Sequence, residues 1–449
     1  MTAPTAPKLT AFDIGCVVVS GIVGVGIFFT PQRVAAAVDG PLQMVTAWGI
    51  GGVIALCGAL VFAELSRLVP GYGGTFVYIE RAFGPLPAFL YGWANWLIIQ
   101  AGALAVVGLV MVDHLDVALY GEAKADPGRA VTITLATIGA FTVVNALGLH
   151  VGKRVQNAFS VLKMAAIFGL VALGLFVGES HPGATRSSHE PHGWVAALGQ
   201  AMLLVLFSYG GWQQGAFVAG AARRPLRDVP LGIAAGVLVV VLAYVSINLT
   251  YLNLLGFDAA GQTPTIAADA CRAALAPLGA GDLGARVMAA AITVSALGIM
   301  NTILLAPPWV LHAMAQRGLF LRACGHVHPR FGSPIVGVVA QGTWAMAMLV
   351  VTYFGFGRST QDTLGFLLTG VVFVDWLFYA LCGLTLVALA RRPDARLVWR
   401  ISPAVAVLFT LFAALVMLGA IVTQPLPSAL GAGLCALGLV PFAFFDRRR

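Results

Sequence analysis

Two ionisable side chains stand inside long apolar runs. Lys163 lies in Phe159-Ser160-Val161-Leu162-Lys163-Met164-Ala165-Ala166-Ile167, and Asp375 in Phe373-Val374-Asp375-Trp376. A charge at such depth in hydrocarbon is costly unless it is paired or solvated, so each reads first as a functional group. For Lys163 the other reading is a stem that snorkels to the near membrane face. For Asp375 the choices are a proton-relay carboxylate or a structural hydrogen-bond acceptor.

Backbone chemistry is the second resource. Two apolar segments are interrupted by glycine, one at Ser20-Gly21-Ile22-Val23-Gly24-Val25-Gly26-Ile27-Phe28 and one at Phe207-Ser208-Tyr209-Gly210-Gly211-Trp212. Unpaired N–H and C=O groups are so costly in lipid that a broken helix persists only where protein buries it or a polar cavity solvates it. Unwinding frees C=O acceptors on the half-helix before the break and N–H donors on the one after it, and the half-helix dipoles add to both. A zwitterion fits that pattern. Its carboxylate would meet the amides of Gly24, Val25 and Gly26, and its ammonium the carbonyls near Ile22 and from Phe207 through Ser208 to Tyr209. Glycine lets a ligand approach the backbone and permits unusual dihedrals. The competing reading, close-packing glycines of the small-xxx-small kind, needs a four-residue spacing that the glycines at 21, 24 and 26 and at 210 and 211 do not keep among themselves.

Other polar side chains could join these groups. Gln213 and Gln214 follow the second break, Gln100 and Asn95 lie on the third apolar segment, and Ser295 and Asn301 lie on the eighth. Ser295 and Asn301, six apart, share a helix face poorly, so one of them at most looks at a common site.

The elements that must position these residues are membrane helices. Hydrophobic residues make up 59% of the 449 and charged residues 10%, where a soluble domain carries about 25% charged. Mean hydropathy is +0.91. Twelve apolar segments have about the length of a spanning helix: 11–33, 41–64, 82–112, 130–149, 154–178, 195–221, 230–255, 284–315, 334–353, 363–390, 400–422 and 426–445. Thr10 and Asp13 have capping-box spacing at the start of the first. Met1 to Pro7 lacks the charged start of a signal peptide and reads as a short leader. With the N-terminus cytoplasmic, 18 of the 26 Lys and Arg fall on inner segments and 7 on outer ones, with Lys163 left inside a helix. That asymmetry predicts both termini in the cytoplasm. The net charge of +8 is thus a topology signal, and nucleic acid is a poor partner for it.

The layout repeats, with a broken helix opening 11–178 and another opening 195–390. Five helices per block is odd, so two blocks of one fold enter the membrane from opposite sides. The predicted divisions are a leader, 1–10; a first five-helix repeat, 11–178; an extracytoplasmic loop, 179–194; a second repeat, 195–390; and two further helices with a basic end, 391–449. The last pair would scaffold the fold or form a homodimer contact.

Motifs in order along the chain resemble amino-acid permeases of the amino acid–polyamine–organocation superfamily, particularly bacterial relatives of the L-type exchangers. Gly24-Val25-Gly26-Ile27-Phe28 with Thr30-Pro31 is similar to the first-helix signature. Pro70-Gly71-Tyr72-Gly73-Gly74-Thr75-Phe76 with Phe83-Gly84-Pro85 is similar to the segment entering the third helix. Asn145, Gly148, Val155-Gln156-Asn157 and Lys163 resemble the fourth-to-fifth stretch, and Phe207 to Trp212 with Arg223-Arg224-Pro225 the sixth helix and its exit. Ser295-Ala296-Leu297-Gly298, Asn301 and Pro329-Arg330-Phe331-Gly332-Ser333-Pro334 resemble the eighth helix and the loop after it.

The resemblance implies a LeuT-like, five-plus-five inverted repeat with discontinuous first and sixth helices, carrying an amino acid or related amine by alternating access. It implies that Lys163 replaces a sodium ion, bracing the first break against the eighth helix, and that Phe207 gates the substrate. Coupling would be to protons or to a counter-substrate. Val25 stands where relatives often have Ser, Gly220 and Ala221 replace an acidic pair, and Ala306-Pro307-Pro308-Trp309 should kink or end the eighth helix. Rival readings are a nontransporting sensor or a channel of the same fold. A membrane-embedded enzyme would need a ligand cluster or nucleophile elbow, which the spans lack. No phosphate-binding loop points to ATP-driven transport. Cys16, Cys57, Cys382 and Cys435 fall in apolar spans and the histidines lack zinc spacing, so no cofactor or metal is expected.

Overall fold

Local chemistry sets the helix ends. The computed structural model describes residues 8–24, 26–122, 126–177, 194–263, 265–355, 360–393, 397, 401–423 and 425–446. The first helix, α1 (Ala11–Ile22), starts on the expected capping box: Asp13 N–H donates to Thr10 Oγ at 3.3 Å, and Thr10 N–H to the Asp13 carboxylate at 2.8 Å. After α2 (Gly26–Ala37) come α3 (Pro41–Leu68), α4 (Thr75–Phe83) and α5 (Pro85–Ala94). Proline at the first turn suits α3 and α5, because the N–H it lacks would have no intrahelical partner there. A π-helical turn, Asn95–Gln100, joins α5 to α6 (Ala101–Tyr120), and α7 (Pro127–Ala146) and α8 (Leu149–Phe176) follow.

The second half opens with α9 (Trp194–Tyr209) and the single turn α10 (Gln214–Phe217). Then come α11 (Pro225–Leu255), the short α12 (Phe257–Gln262) and α13 (Ile266–Leu275), α14 (Gly281–Leu305) and α15 (Pro308–Gln316). Pro307 and Pro308 divide α14 from α15, as two residues without N–H donors should. The chain finishes with α16 (Ile335–Gly355), α17 (Thr360–Ala390), α18 (Ser402–Thr423), α19 (Pro425–Ala436) and α20 (Leu439–Asp446).

The protein is an all-helical, multi-pass membrane protein. Among the described residues, ten helical runs are long and apolar enough to cross a membrane, or eleven when the bent pair α1 and α2 counts as one span. The difference from the twelve expected lies in α9, whose 16 residues before its break fall short of a crossing.

Burial orders the helices around a centre. In the most apolar stretch of the α5–α6 run 78% of residues are buried, against 28% in α18 and 22% in α19–α20. The last helices therefore turn most of their apolar side chains outward, as lipid-facing helices do. Inside, α1 packs on α11 and α8, and α14 on α6 and α8.

Candidate functional site

At the first break α1 stops at Ile22, α2 resumes at Gly26, and the two half-helices are bent by 43°. The Val23 carbonyl has lost its helical partner and accepts instead from Lys163 Nζ at 2.7 Å and Ser295 Oγ at 3.3 Å. Lys163 Nζ also donates to the Ser295 carbonyl at 3.1 Å. The lysine is fully buried, and the ammonium ties the break to α14. Gly298 leaves it room, since a Cβ there would sit 3.0 Å from Nζ.

At the second break α9 ends at Tyr209 and Gly211 takes φ +125°, where an L side chain is strained. Space demands glycine there as well. A Cβ on Gly211 would lie 2.3 Å from the Gly21 carbonyl oxygen, so the two breaks touch backbone to backbone. Tyr244 of α11 joins them: its hydroxyl lies 3.0 Å from the Ile22 carbonyl oxygen and 3.2 Å from that of Ser208, sharing one proton between two broken ends. Sequence reasoning missed Tyr244, because nothing local marks a tyrosine within an apolar run.

Between the breaks lies a cavity of about 140 Å³, room for a small polar ligand in place of several waters. Its wall includes Gly24 and Gly26, at the start of α2, and Phe207, Ser208 and Gly210, at the end of α9. The open N–H end of one half-helix and the open C=O ends of two others thus converge, with partial positive charge at the first and negative at the others. Ile22, Gln100, Gln213, Gln214 and Asp375 also line it. Gln214 Nε2 donates to Gln100 Oε1 at 3.3 Å and Gln100 Nε2 to Asn95 Oδ1 at 3.0 Å, a chain of buried amides starting at the π-helical turn. Such turns carry one extra residue and recur at functional sites. The half-buried Phe207 ring lies 6.5 Å from that of Phe29.

Several candidates lie elsewhere. Val25 is outside the described residues. Val23, Lys163 and Ser295 form the brace behind the cavity and are not part of its wall. Tyr209 is turned away, its hydroxyl donating to the Trp48 carbonyl at 3.3 Å and its ring packed on Trp48 and Tyr244. As a side chain it does not line the site, because the last helical turn of α9 points it into the α3–α11 contact. Asn301 also lies outside the cavity wall. It donates to Gln156 Oε1 at 2.8 Å and accepts from Asn145 Nδ2 at 2.9 Å, a buried network tying α14 to α7 and α8 away from the cavity. Of the pair six residues apart, Ser295 faces the break and Asn301 faces the other way.

At Gly220 and Ala221, where an acidic pair is absent, packing and backbone pairing close the end of the second break. Gly220 accommodates the Tyr72 ring, which a Cβ would meet at 2.5 Å, and Tyr72 stacks on Trp309 at 4.2 Å. Leu9 pairs with the following strand-like stretch, donating to the Ala221 carbonyl at 2.8 Å and accepting from Arg223 N–H at 2.7 Å. Asp13 accepts from Lys153 at 3.1 Å and Asn157 at 2.7 Å, fastening α1 to α8. Among the described residues no three His, Cys, Asp or Glu side chains gather as metal ligands.

The chain is similar to known proteins over most of its length. The amino acid permease family model matches residues 9–440. The serine/threonine exchanger SteT of Bacillus subtilis (strain 168) is 28% identical over 379 residues, covering 84% of this chain and 81% of that protein. The b(0,+)-type amino acid transporter 1 of Mus musculus is 24% identical over 420 residues, 91% of this chain and 82% of the relative. The human cystine/glutamate transporter is 24% identical over 443 residues, 98% of this chain and 85% of the relative.

Proposed function

The chain belongs to the amino acid permease family, and from that premise we propose that it is a sodium-independent secondary transporter of an amino acid or related amine, working by alternating access. One observation carries the reading: a cavity where the N–H end of α2 meets the C=O ends of α1 and α9. A substrate's α-carboxylate would sit at Gly24 and Gly26 and its α-ammonium at the carbonyls of the α9 end. The Ile22 and Ser208 carbonyls already approach the Tyr244 hydroxyl, but a carbonyl oxygen has two lone pairs and can accept again.

The finer architecture follows the same reading. The bent α1 and α2 form the first of twelve spans, and α9 with its continuation through Ala221 forms the sixth. Residues 11–178 and 195–390 are inverted repeats, and 391–449 scaffold them or carry a homodimer contact. Both termini face the cytoplasm of a plasma membrane. The Lys163 ammonium stands where a coupling sodium ion would otherwise brace the break, and Phe207 closes over the substrate. The names of the relatives, which include an exchanger, weight the reading toward exchange over proton symport.

Countertransport tests it. Proteoliposomes preloaded with unlabelled amino acids should accumulate labelled substrate against its gradient, after a thermal-shift screen has chosen the substrate. Protein that binds an amino acid but never exchanges it would be a sensor, and labelled flux that never exceeds equilibrium would mark a channel.

A further inference from the structure

Asp375 is the one side chain with a formal charge among the described residues lining the cavity. Lys163 does not answer it, being committed to the Val23 and Ser295 carbonyls. No described ion pair includes Asp375. A carboxyl group held away from water either keeps a proton or is ionised against a cation, and one donated hydroxyl does not supply that cation.

The Tyr379 hydroxyl donates to Asp375, and the surroundings otherwise offer acceptors and no cation. Trp212 packs against Trp376 at 6.2 Å and against Tyr379 at 5.1 Å, which sets the Asp375 turn of α17 beside the segment 211–214. From that segment Gln213 and Gln214, 3% and 5% exposed, enter the same cavity. The Oε1 atoms of both are buried without a hydrogen-bond partner. For Gln214 the direction of the amide chain explains this. Its Nε2 is spent on Gln100, whose Nε2 is spent on Asn95, so an acceptor is left over at the cavity end. A carboxylate and two unsatisfied amide oxygens in one small cavity suit a group with several N–H donors and a positive charge.

We propose that Asp375, with Gln213 and Gln214, receives a second cationic nitrogen on the substrate's side chain, so that the favoured substrates are amino acids bearing a side-chain amino group. The inference rests on the transporter reading, in which the two breaks hold the α-carboxylate and α-ammonium; Asp375 then reads what lies beyond the head group. The pair of L-ornithine and L-norleucine isolates this property, since they differ by an ammonium in place of a methyl group.

The test is exchange of each labelled compound by the full-length protein in proteoliposomes, for wild type and for D375N and D375E. Wild type should favour ornithine by about ten- to hundredfold, the factor a hydrogen bond to a charged group supports. D375N should bring the ornithine-to-norleucine ratio down by a similar factor, and D375E should keep it above one. A wild type that exchanges norleucine or serine but not ornithine overturns the inference and leaves the transporter reading standing. An unchanged ratio in folded D375N overturns it as well, assigning Asp375 to a proton relay or to structure. If D375N does not fold, the wild-type ratio decides: ten to one keeps the proposal, and parity removes it. Folded wild type that exchanges no labelled amino acid overturns the transporter reading and this inference with it.

Discussion

Replacing Lys163 by methionine shortens the side chain by one atom but nearly keeps its volume, so little cavity forms in the core. What disappears is the donor pair to the Val23 and Ser295 carbonyls, at 2.7 and 3.1 Å. A hydrogen bond from a charged donor contributes about 1.5–3 kcal/mol, so the gross loss is about 3–6 kcal/mol. Much of that does not reach global stability. Val23 O keeps Ser295 Oγ at 3.3 Å, the Ser295 carbonyl keeps its place in the α14 ladder, and a buried ammonium no longer has to be desolvated. The part that survives is the coupling of the break to α14. Taken as one charged hydrogen bond, that part is a factor of about 10 to 100 in exchange rate, at 1.4 kcal/mol per tenfold. K163M should therefore run as a monodisperse protein with a melting temperature within a few degrees of wild type and exchange its substrate at least tenfold more slowly. K163A should show the same defect together with a larger loss of stability from the void it leaves. Wild-type exchange by folded K163M would remove Lys163 from the mechanism.

Three further substitutions follow from contacts. Y244F removes the shared proton between Ile22 and Ser208, worth about 0.5–1.5 kcal/mol, and should raise KM up to about tenfold with little change in melting temperature; unaltered exchange kinetics would refute a role in holding the breaks. G211A combines a positive φ with a Cβ 2.3 Å from the Gly21 carbonyl. It should cost about 1–3 kcal/mol in backbone strain before any clash and lower the melting temperature or the yield of folded protein; a wild-type thermal profile would show that the breaks are not in contact. N301A leaves Gln156 and Asn145 without their shared partner and should cost about 1–3 kcal/mol of stability while substrate preference stays fixed. A changed preference would return Asn301 to the site.

How much of this could be read from sequence depended on whether the signal was local. Thr10 and Asp13 satisfy each other within one turn, so their spacing was enough. The breaks were visible because glycine clusters have few uses in an apolar helix, and Pro307-Pro308 because proline lacks a donor. Lys163 announced itself by charge alone. Tyr244 did not, since its value comes from two carbonyls 222 and 36 residues away in sequence. The same holds for Asn301, whose partners come from α7 and α8, and for Tyr209, whose proximity to the second break gave no clue to the direction of its ring. Periodicity placed most segments well, but it could not show that α9 stops at Tyr209, because the apolar run continues through the break.

The most direct test of the central claim is a structure of the protein with its best-exchanged amino acid bound. The expected density is a carboxylate against the amides at the start of α2, beside Gly24 and Gly26, and an ammonium against the open carbonyls of α1 and α9. Substrate bound in any other cavity, or in this one with its head group away from both breaks, would contradict it.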